Sequence, residues 1–235
     1  MSQGGRAGIE SGTLQEPQVR AMFDRIAGVY DVMNSIMTAG MHHRWRRRAA
    51  DLAQAGPGDE VLDVATGTGD LAVELAARGA TVVASDFSEE MLARARAKDP
   101  GIMWEWANAQ DLPYADGRFA AATVGFGARN FSDLPLGIAE MARVVRPGGK
   151  VVILEITTPQ KPPLSTFFKV WFDHVVPGLG RLAGDADAYT YLPNSVKRFP
   201  GPQGLAEVMA AAGLRDIRWI LTAGGIIALH VGTKA

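Results

Sequence analysis

A glycine turn between two carboxylates is the part of this chain best suited to bind a ligand. The turn contains Gly67 and Gly69, Asp63 precedes it, and Asp86 ends the next apolar stretch. Glycine adopts positive φ at little steric cost, so such a turn lets a ligand touch bare backbone at the start of a helix. Carboxylates accept hydrogen bonds from ligand hydroxyls and attract positive charge. These residue types predict a site for a small-molecule cofactor.

Two classes of cofactor fit this stretch. Residues 67–72 match the G-x-G-x-x-A pattern of dinucleotide-binding turns, and Asp86 follows at about the expected distance. Residues 63–69 also fit an acid-x-G-x-G-x-G loop for S-adenosylmethionine, with Ala65 in place of the first glycine. Electrostatics favours the second class, because Asp63 would repel a pyrophosphate but attract a sulfonium and an ammonium. A turn that binds nothing is the third alternative.

Two further loops carry residues that suit a nucleoside with a methionine tail. The Asn108 side chain both donates and accepts, so it can read the edge of an adenine, and the backbone amide of Ala109 can do the same. Gly125 and Gly127 leave room for the methionine part of the cofactor to lie close to backbone. Asp86 could take both ribose hydroxyls, or it could simply cap the helix that follows.

The elements that must position these residues alternate along the chain. Apolar, β-branched stretches predict strands at about 60–65, 81–85, 102–107, 119–125 and 149–156, with helices at 70–78, 88–98 and 133–145 between them. Such alternation predicts an α/β fold with a doubly wound, mostly parallel sheet. Two more strands, at 214–221 and 226–233, predict an antiparallel hairpin and a total of seven strands. Ligands of such sheets bind beyond the carboxyl ends of the strands, where all four loops lie.

The remaining segments flank this core. Residues 1–16 are rich in Gly, Ser and Gln and predict a disordered tail, and residues 17–56 predict a helical lid on a single domain of 17–235 whose core is 57–235. Helices are expected at about 164–181 and 202–212. Residues 182–200 are expected to be irregular.

The composition excludes several classes of function. The formal net charge is -1, so the chain lacks the excess of positive charge that would indicate a nucleic acid as a partner. Cysteine is absent, which excludes disulfides and thiolate zinc sites, and we expect no metal site. The first sixteen residues are polar and lack the apolar core typical of a signal peptide, so we expect none, and no apolar run reaches the roughly 18–20 residues that a spanning helix needs. We expect a cytoplasmic protein that touches a membrane, at most, from its inner face.

Four stretches of the chain resemble the signatures of one family. Residues 30–45 (YDVMNSIMTAGMHHRW) and 143–157 (RVVRPGGKVVILEIT) are similar to the two signatures of the UbiE/MenG quinone C-methyltransferases. Residues 126–130 (FGARN) and 189–195 (YTYLPNS) also resemble blocks of that family. The similarity extends over about residues 17–233. It implies the Rossmann-like fold of class I S-adenosylmethionine-dependent methyltransferases.

The resemblance also implies a reaction. The family transfers a methyl group from S-adenosylmethionine to a ring carbon of a prenylated quinol and releases S-adenosylhomocysteine. Demethylmenaquinol, in menaquinone biosynthesis, is the expected substrate, and a prenylated methoxybenzoquinol of ubiquinone biosynthesis or another small molecule is the alternative. A nicotinamide-dependent oxidoreductase stays open on the G-x-G-x-x-A match. Thr68, Asp86, Asn108 and Ala109 match the family's cofactor contacts, and Gly125 stands where some members have a serine.

Carbon methylation requires an electron-rich ring, which a quinol becomes when its hydroxyl ionises. Arg129 and Asn130 follow the fourth strand and are the first catalytic candidates, with Arg129 holding an oxyanion or orienting a water. Tyr30 could cover the cofactor from the lid. His42, His174 and His230 are weaker candidates for a base.

Two segments suggest outside contacts. The helix at 164–179 could form an apolar entrance for the isoprenoid tail, part of the core, or the interface of a homodimer. The arginine-rich residues 44–48 could touch anionic lipid head groups, although a solvated helix face is the favoured interpretation.

Overall fold

A central seven-stranded sheet organises the protein. The computed structural model describes residues 16–28, 35, 38, 40–159, 162–170 and 186–235. The strands are β1 Glu60–Val64, β2 Thr81–Asp86, β3 Met103–Trp106, β4 Phe119–Gly125, β5 Val145–Ile156, β6 Leu214–Thr222 and β7 Ile227–Lys234. Their order in the sheet is β3-β2-β1-β4-β5-β7-β6. Strands β1 to β5 are parallel to one another, whereas β7 is antiparallel to both β5 and β6. The predicted fold class is therefore confirmed.

Helices cover both faces of the sheet. They are α1 Glu16–Ile26, α2 Met41–Ala53, α3 Asp70–Ala76, α4 Glu89–Lys98, α5 Leu134–Val144, α6 Leu164–Val170, α7 Ala186–Arg198 and α8 Pro202–Ala211, with a 3-10 turn at Ala128–Asn130. Neighbouring residues of β1 point to opposite faces, as the two-residue period of a strand requires. Val61 joins a buried cluster with α2, α3 and α4, and Leu62 joins a second cluster with α5 and α8. The two cores fix the loops at the strand ends between them.

Helix α7 occupies most of the segment 182–200, which was expected to be irregular, and residues 182–185 lie outside the described residues. Pro193 lies inside this helix and removes one backbone donor. Tyr191, Ser195 and Val196 are buried with at most 7% of their surface exposed. Their spacing of four to five residues places them on one face of a helix, so tertiary packing outweighs the local effect of the proline.

Several predicted features lie outside the described residues. They include the tail up to residue 15, Tyr30, His174 and residues 171–181 of the long apolar helix, which is described only as α6. Helix α1 begins at Glu16, directly before Pro17. Within the described ranges, no helix has the length and apolar character needed to cross a bilayer.

Candidate functional site

A cavity opens at the carboxyl ends of the parallel strands. It has a volume of about 850 Å³ when the space open to solvent is included. The walls come from the glycine turn, from the ends of β2, β3 and β4, and from helices α1 and α2. The lining residues are Phe23, Arg46, Asp63, Ala65, Thr66, Gly67, Thr68, Asp70, Leu71, Asp86, Phe87, Met91, Ala107, Asn108, Ala109, Gln110, Gly125, Phe126, Gly127, Asn130 and Phe131. Every predicted cofactor residue except Gly69 lies in this wall.

Asp86 connects the glycine turn to the end of β2. Its Oδ2 accepts a hydrogen bond from the backbone N–H of Gly67 at 2.8 Å, and its Oδ1 accepts one from the backbone N–H of Ser88 at 2.9 Å. Gly67 has φ +58, a conformation that glycine adopts without strain. The side chain of Ser88, in turn, caps α4 by accepting from the Met91 N–H at 3.2 Å. Asp86 therefore shapes the turn, and Ser88 performs the capping that Asp86 could have supplied.

Asp63 is buried at the end of β1 and is held by two hydroxyls. Thr66 Oγ1 donates to its Oδ2 at 2.6 Å, and Thr123 Oγ1 donates to its Oδ1 at 2.5 Å. Burial raises the pKa of Asp63 to about 6, although these two hydrogen bonds act to lower it. Burial likewise raises the pKa of Asp86 to about 6, although hydrogen bonds from backbone amides act to lower it. A cation or a hydroxyl donor in the cavity would stabilise the charged form of both carboxyl groups.

Asn108 and Ala109 form the wall that follows β3. The Asn108 Oδ1 accepts from the backbone N–H of Gln110 at 3.0 Å, which orients the amide group. The backbone of Asn108 also pairs with Asp111, since the Asp111 N–H donates to the Asn108 carbonyl at 3.0 Å. Asp111 itself is exposed and does not line the cavity. The loop thus presents Asn108 rather than Asp111.

Gly69 has a structural role behind the cavity wall. It lies at φ +84 as the residue before α3, and a Cβ there would lie 2.3 Å from Cη2 of Trp104. The Trp104 indole is held by a hydrogen bond from its Nε1 to the Asp99 carbonyl at 2.8 Å. The glycine therefore permits close packing of the turn on β3.

Gly69→Ala is expected to lower the free energy of unfolding by about 3 kcal/mol, because a left-handed alanine and an overpacked indole both cost energy. Gly58→Ala is the matched control, since Gly58 has φ +90 with nothing within 4 Å of its Cβ position. It should lose only about 1–2 kcal/mol. Urea unfolding of both variants measures the difference. Equal losses would show that contact with Trp104 is not the reason for glycine at position 69.

Arg46 belongs to α2 and lines the cavity. From the sequence, this residue was expected only on a solvated helix face or at a lipid surface. Its guanidinium lies 3.3 Å from the Asp70 carboxylate and 5.4 Å from the centre of the Phe126 ring. Lys98 also binds Asp70, at 2.6 Å. Two cations thus share one carboxylate, and of these two cations Arg46 is the one that lines the cavity. A clue lay in the sequence, because Arg46 follows His42 by one helical turn and contacts it.

The burial of α2 corrects part of the lipid-contact prediction. Trp45 and Arg46 are each only 6% exposed, so neither can reach a membrane surface. Arg44, Arg47 and Arg48 are exposed. Contact with anionic lipid therefore stays a prediction that rests on these three residues alone.

Aromatic and apolar side chains form the rest of the wall. Phe23 of α1, Phe87 after β2, and Phe126 and Phe131 around the 3-10 turn all line the cavity. Next to Phe23, Asp24 accepts a hydrogen bond from Ser88 Oγ at 2.5 Å, which joins α1 to the loop behind Asp86. The closing role of a lid stays a prediction.

The three predicted catalytic residues occupy different surroundings. Asn130 lines the cavity, whereas Arg129 does not. The Arg129 Nη1 donates to Oε1 of Glu155 at 2.7 Å and also contacts the Phe126 carbonyl. The side chains of Arg129 and Glu155 are 7% and 1% exposed. Tyr30 lies outside the described residues, so its role stays a prediction.

The histidines take structural positions where they are described. His230 is buried, its Nε2 lies 2.9 Å from the Pro202 carbonyl oxygen, and its ring stacks on Trp219. Burial lowers its pKa. His42 Nε2 lies 3.2 Å from Ser35 Oγ, and its other ring nitrogen contacts Arg46.

His42, His43 and Asp70 lie close enough to hold a metal ion, but the guanidinium of Arg46 contacts two of them and opposes a cation there.

Comparison with known proteins decides between the two classes of cofactor. A profile of the ubiE/COQ5 methyltransferase family matches residues 12–234. The chain belongs to this family. The family match favours S-adenosylmethionine over a nicotinamide dinucleotide as the ligand of the glycine turn, and the protein is an S-adenosylmethionine-dependent methyltransferase.

Two relatives match almost end to end. The demethylmenaquinone methyltransferase of Thermus thermophilus is 44% identical over 220 residues, covering 91% of this chain and 100% of the relative. The demethylmenaquinone methyltransferase of Deinococcus radiodurans is 46% identical over 223 residues, covering 92% of each chain. Among solved structures, an S-adenosylmethionine-dependent methyltransferase of Thermotoga maritima shares the fold. It has a TM-score of 0.66 and 17% identity over 92% of this chain and 99% of that one.

Proposed function

We propose that the protein methylates a ring carbon of demethylmenaquinol, with S-adenosylmethionine as the donor, in the biosynthesis of menaquinone. The observation that carries the proposal is the similarity to the two demethylmenaquinone methyltransferases at 44% and 46% identity over nearly their whole lengths. The cavity adds support, since it combines buried carboxylates with several aromatic side chains. Such a wall suits a cationic nucleoside beside a flat, apolar ring.

The residues of the wall fit the parts of the donor. Asp86 would accept hydrogen bonds from the ribose hydroxyls, and Asn108 with the backbone of Ala109 would bind the adenine edge. Thr68 and the backbone of Gly67 would line the loop around the methionine part, where Asp63 would favour positive charge. Arg46 would pair with the donor's carboxylate, since it is the cation that faces the cavity. When bound, S-adenosylmethionine supplies an electrophilic methyl group.

Asn130 is the described catalytic candidate that can touch the substrate directly. It lies in the cavity wall beside Phe126 and Phe131, which would hold the quinol ring. Ionisation of the quinol hydroxyl pushes charge onto the ring carbon, and a donor beside the oxygen stabilises that charge. Arg129, which is paired with Glu155, would act by its positive charge and by fixing the 3-10 turn rather than by contact. Tyr30 is proposed to close the site from the N-terminal side.

Transfer of a radiolabelled methyl group tests the proposal. Purified protein is incubated with labelled S-adenosylmethionine and either demethylmenaquinol or a prenylated methoxybenzoquinol, both kept reduced. We expect label in the naphthoquinol product. An Asn130→Ala variant should bind S-adenosylmethionine but transfer the methyl group at least tenfold more slowly, because it lacks the hydrogen-bond donor to the oxyanion. Label in the benzoquinol alone would assign the enzyme to ubiquinone biosynthesis instead. Label in neither quinol would refute quinol methylation.

A further inference from the structure

Tyr191 binds the catalytic candidate Asn130 from behind the cavity wall. It belongs to α7, the helix that the sequence did not predict, and only 7% of its surface is exposed. Its hydroxyl donates to Oδ1 of Asn130 at 3.1 Å. Tyr191 does not line the cavity, whereas Asn130 does. The direct link from the Tyr191 hydroxyl to the cavity wall is therefore its hydrogen bond with Asn130.

The hydrogen bond determines which atom of the Asn130 amide is available. A carboxamide carries one acceptor oxygen and one NH₂ donor group, and a donor on the oxygen leaves the NH₂ for other partners. Among the residues that the structure describes, none accepts a hydrogen bond from Asn130 Nδ2. The backbone of Asn130 is fixed too, since its N–H donates to the Gly127 carbonyl at 3.0 Å and closes the 3-10 turn. Both ends of this residue are therefore oriented before a substrate arrives.

The surroundings keep the Tyr191 hydroxyl protonated. Burial raises the pKa of Tyr191, although the positive charges of Arg129 and Arg198 act to lower it. Arg198 also lies over the ring, 5.9 Å from its centre. A protonated phenol at neutral pH is a steady donor and a poor base. Tyr191 is consequently suited to hold the amide and not to remove the proton of the substrate.

We propose that Tyr191 is a positioning residue that turns the NH₂ group of Asn130 toward the oxygen of the ionising quinol. The inference rests on the proposed function and adds to it a role for a residue that lies in the block 189–195 but not in the cavity wall. With Tyr191 in place, Asn130 offers a donor where negative charge develops. Without it, the amide can rotate and present its oxygen, which would repel the oxyanion.

A conservative pair of variants separates this role from a general loss of packing. Tyr191→Phe removes only the hydroxyl, and Tyr114→Phe is the matched control. Tyr114 is also buried, and its hydroxyl donates to Glu105 at 2.9 Å away from the cavity wall. We expect Tyr191→Phe to lower kcat about tenfold, as misplacing one oxyanion donor costs part of its full effect. The Kd for S-adenosylmethionine should not change, and Tyr114→Phe should keep the kcat of the wild type.

A double-mutant cycle tests whether the effect passes through Asn130. If Tyr191 acts only by orienting this amide, Tyr191→Phe should add nothing to the loss caused by Asn130→Ala. An additional tenfold loss in the double variant would overturn the inference. So would a Tyr191→Phe enzyme with the full kcat of the wild type.

The orientation of Asn130 can also be measured without a substrate. The side-chain NH₂ signals of Asn130, assigned by their absence in Asn130→Ala, should shift in the ¹⁵N–¹H spectrum of Tyr191→Phe but not of Tyr114→Phe. Unchanged signals in Tyr191→Phe would overturn the inference even if methyl transfer is observed. A wild-type protein that methylates no quinol would instead refute the proposed function, while the spectrum still tests the contact.

Discussion

Asp86→Asn is expected to weaken binding of S-adenosylmethionine by roughly 100-fold, the loss expected when a charge-assisted acceptor of two hydroxyls is removed. The carboxylate also accepts from the backbone amides of Gly67 and Ser88. An asparagine has one oxygen for these four donors, and its NH₂ group would oppose one of the backbone N–H groups. The turn would therefore lose its shape as well as its ribose acceptor. Isothermal titration calorimetry measures the change in Kd.

Asp111→Asn is the matched control for this experiment. Asp111 lies in the loop after β3 but is exposed and away from the cavity wall, so its replacement should leave the Kd unchanged. Because the pKa of Asp86 is raised to about 6, the wild type should bind S-adenosylmethionine most tightly well above pH 6 and progressively less tightly as the pH falls through 6. A Kd within threefold of the wild type for Asp86→Asn would contradict the assignment of Asp86 as the ribose acceptor.

Glu155→Gln is expected to lower the free energy of unfolding by about 3–5 kcal/mol, the cost of leaving a buried charge without its partner. Glu155 is 1% exposed and binds the guanidinium of Arg129 at 2.7 Å. It also accepts from the backbone N–H groups of Arg129 at 3.2 Å and Ile156 at 2.8 Å. The neutral amide keeps the volume but not the charge. Chemical denaturation with urea gives the difference directly.

The exposed ion pair of Glu60 and Arg118 provides the comparison. Both side chains are about one-third exposed, so Glu60→Gln should cost less than about 1 kcal/mol. The double variant Arg129→Met/Glu155→Leu removes both buried charges and should recover part of the stability, because the backbone N–H groups of Arg129 and Ile156 still lose the Glu155 acceptor. If Arg129 contributes its charge to catalysis, this stable variant should still lack methyl transfer. An unfolding free energy of Glu155→Gln within 1 kcal/mol of the wild type would show that the pair is not essential for folding.

Sequence patterns bring together most residues on the glycine-turn side of the cavity, because those residues belong to continuous strand-and-turn motifs. Asp63, Gly67 and Asp86 each lie at a strand end, and the topology of a doubly wound sheet brings strand ends together. Gly69 fits the same motif, but its contact with Trp104 depends on packing between β3 and the turn. Local patterns cannot show that second contact.

The remaining residues in and behind the cavity wall were harder to predict, because their positions depend on tertiary packing. Arg46 lies among exposed arginines, and only the three-dimensional packing of α2 shows that it turns inward to Asp70. Tyr191 lies near Pro193 and two aspartates, which disfavour a helix by local propensity, whereas its burial against the 3-10 turn favours one. The ion pair of Arg129 and Glu155 joins residues that are far apart in the chain, so neither residue predicts the other.

The hydrogen bond from Gly67 to Asp86 has a consequence for the thermodynamics of binding. The turn holds its ligand-ready conformation through a contact within the protein, so the conformational entropy of its backbone is lost during folding and not during association. A preorganised loop of this kind leaves more of the interaction energy available as affinity. In the proposed complex the nucleoside of the methyl donor would meet a turn that is already formed, and binding would not have to order that turn.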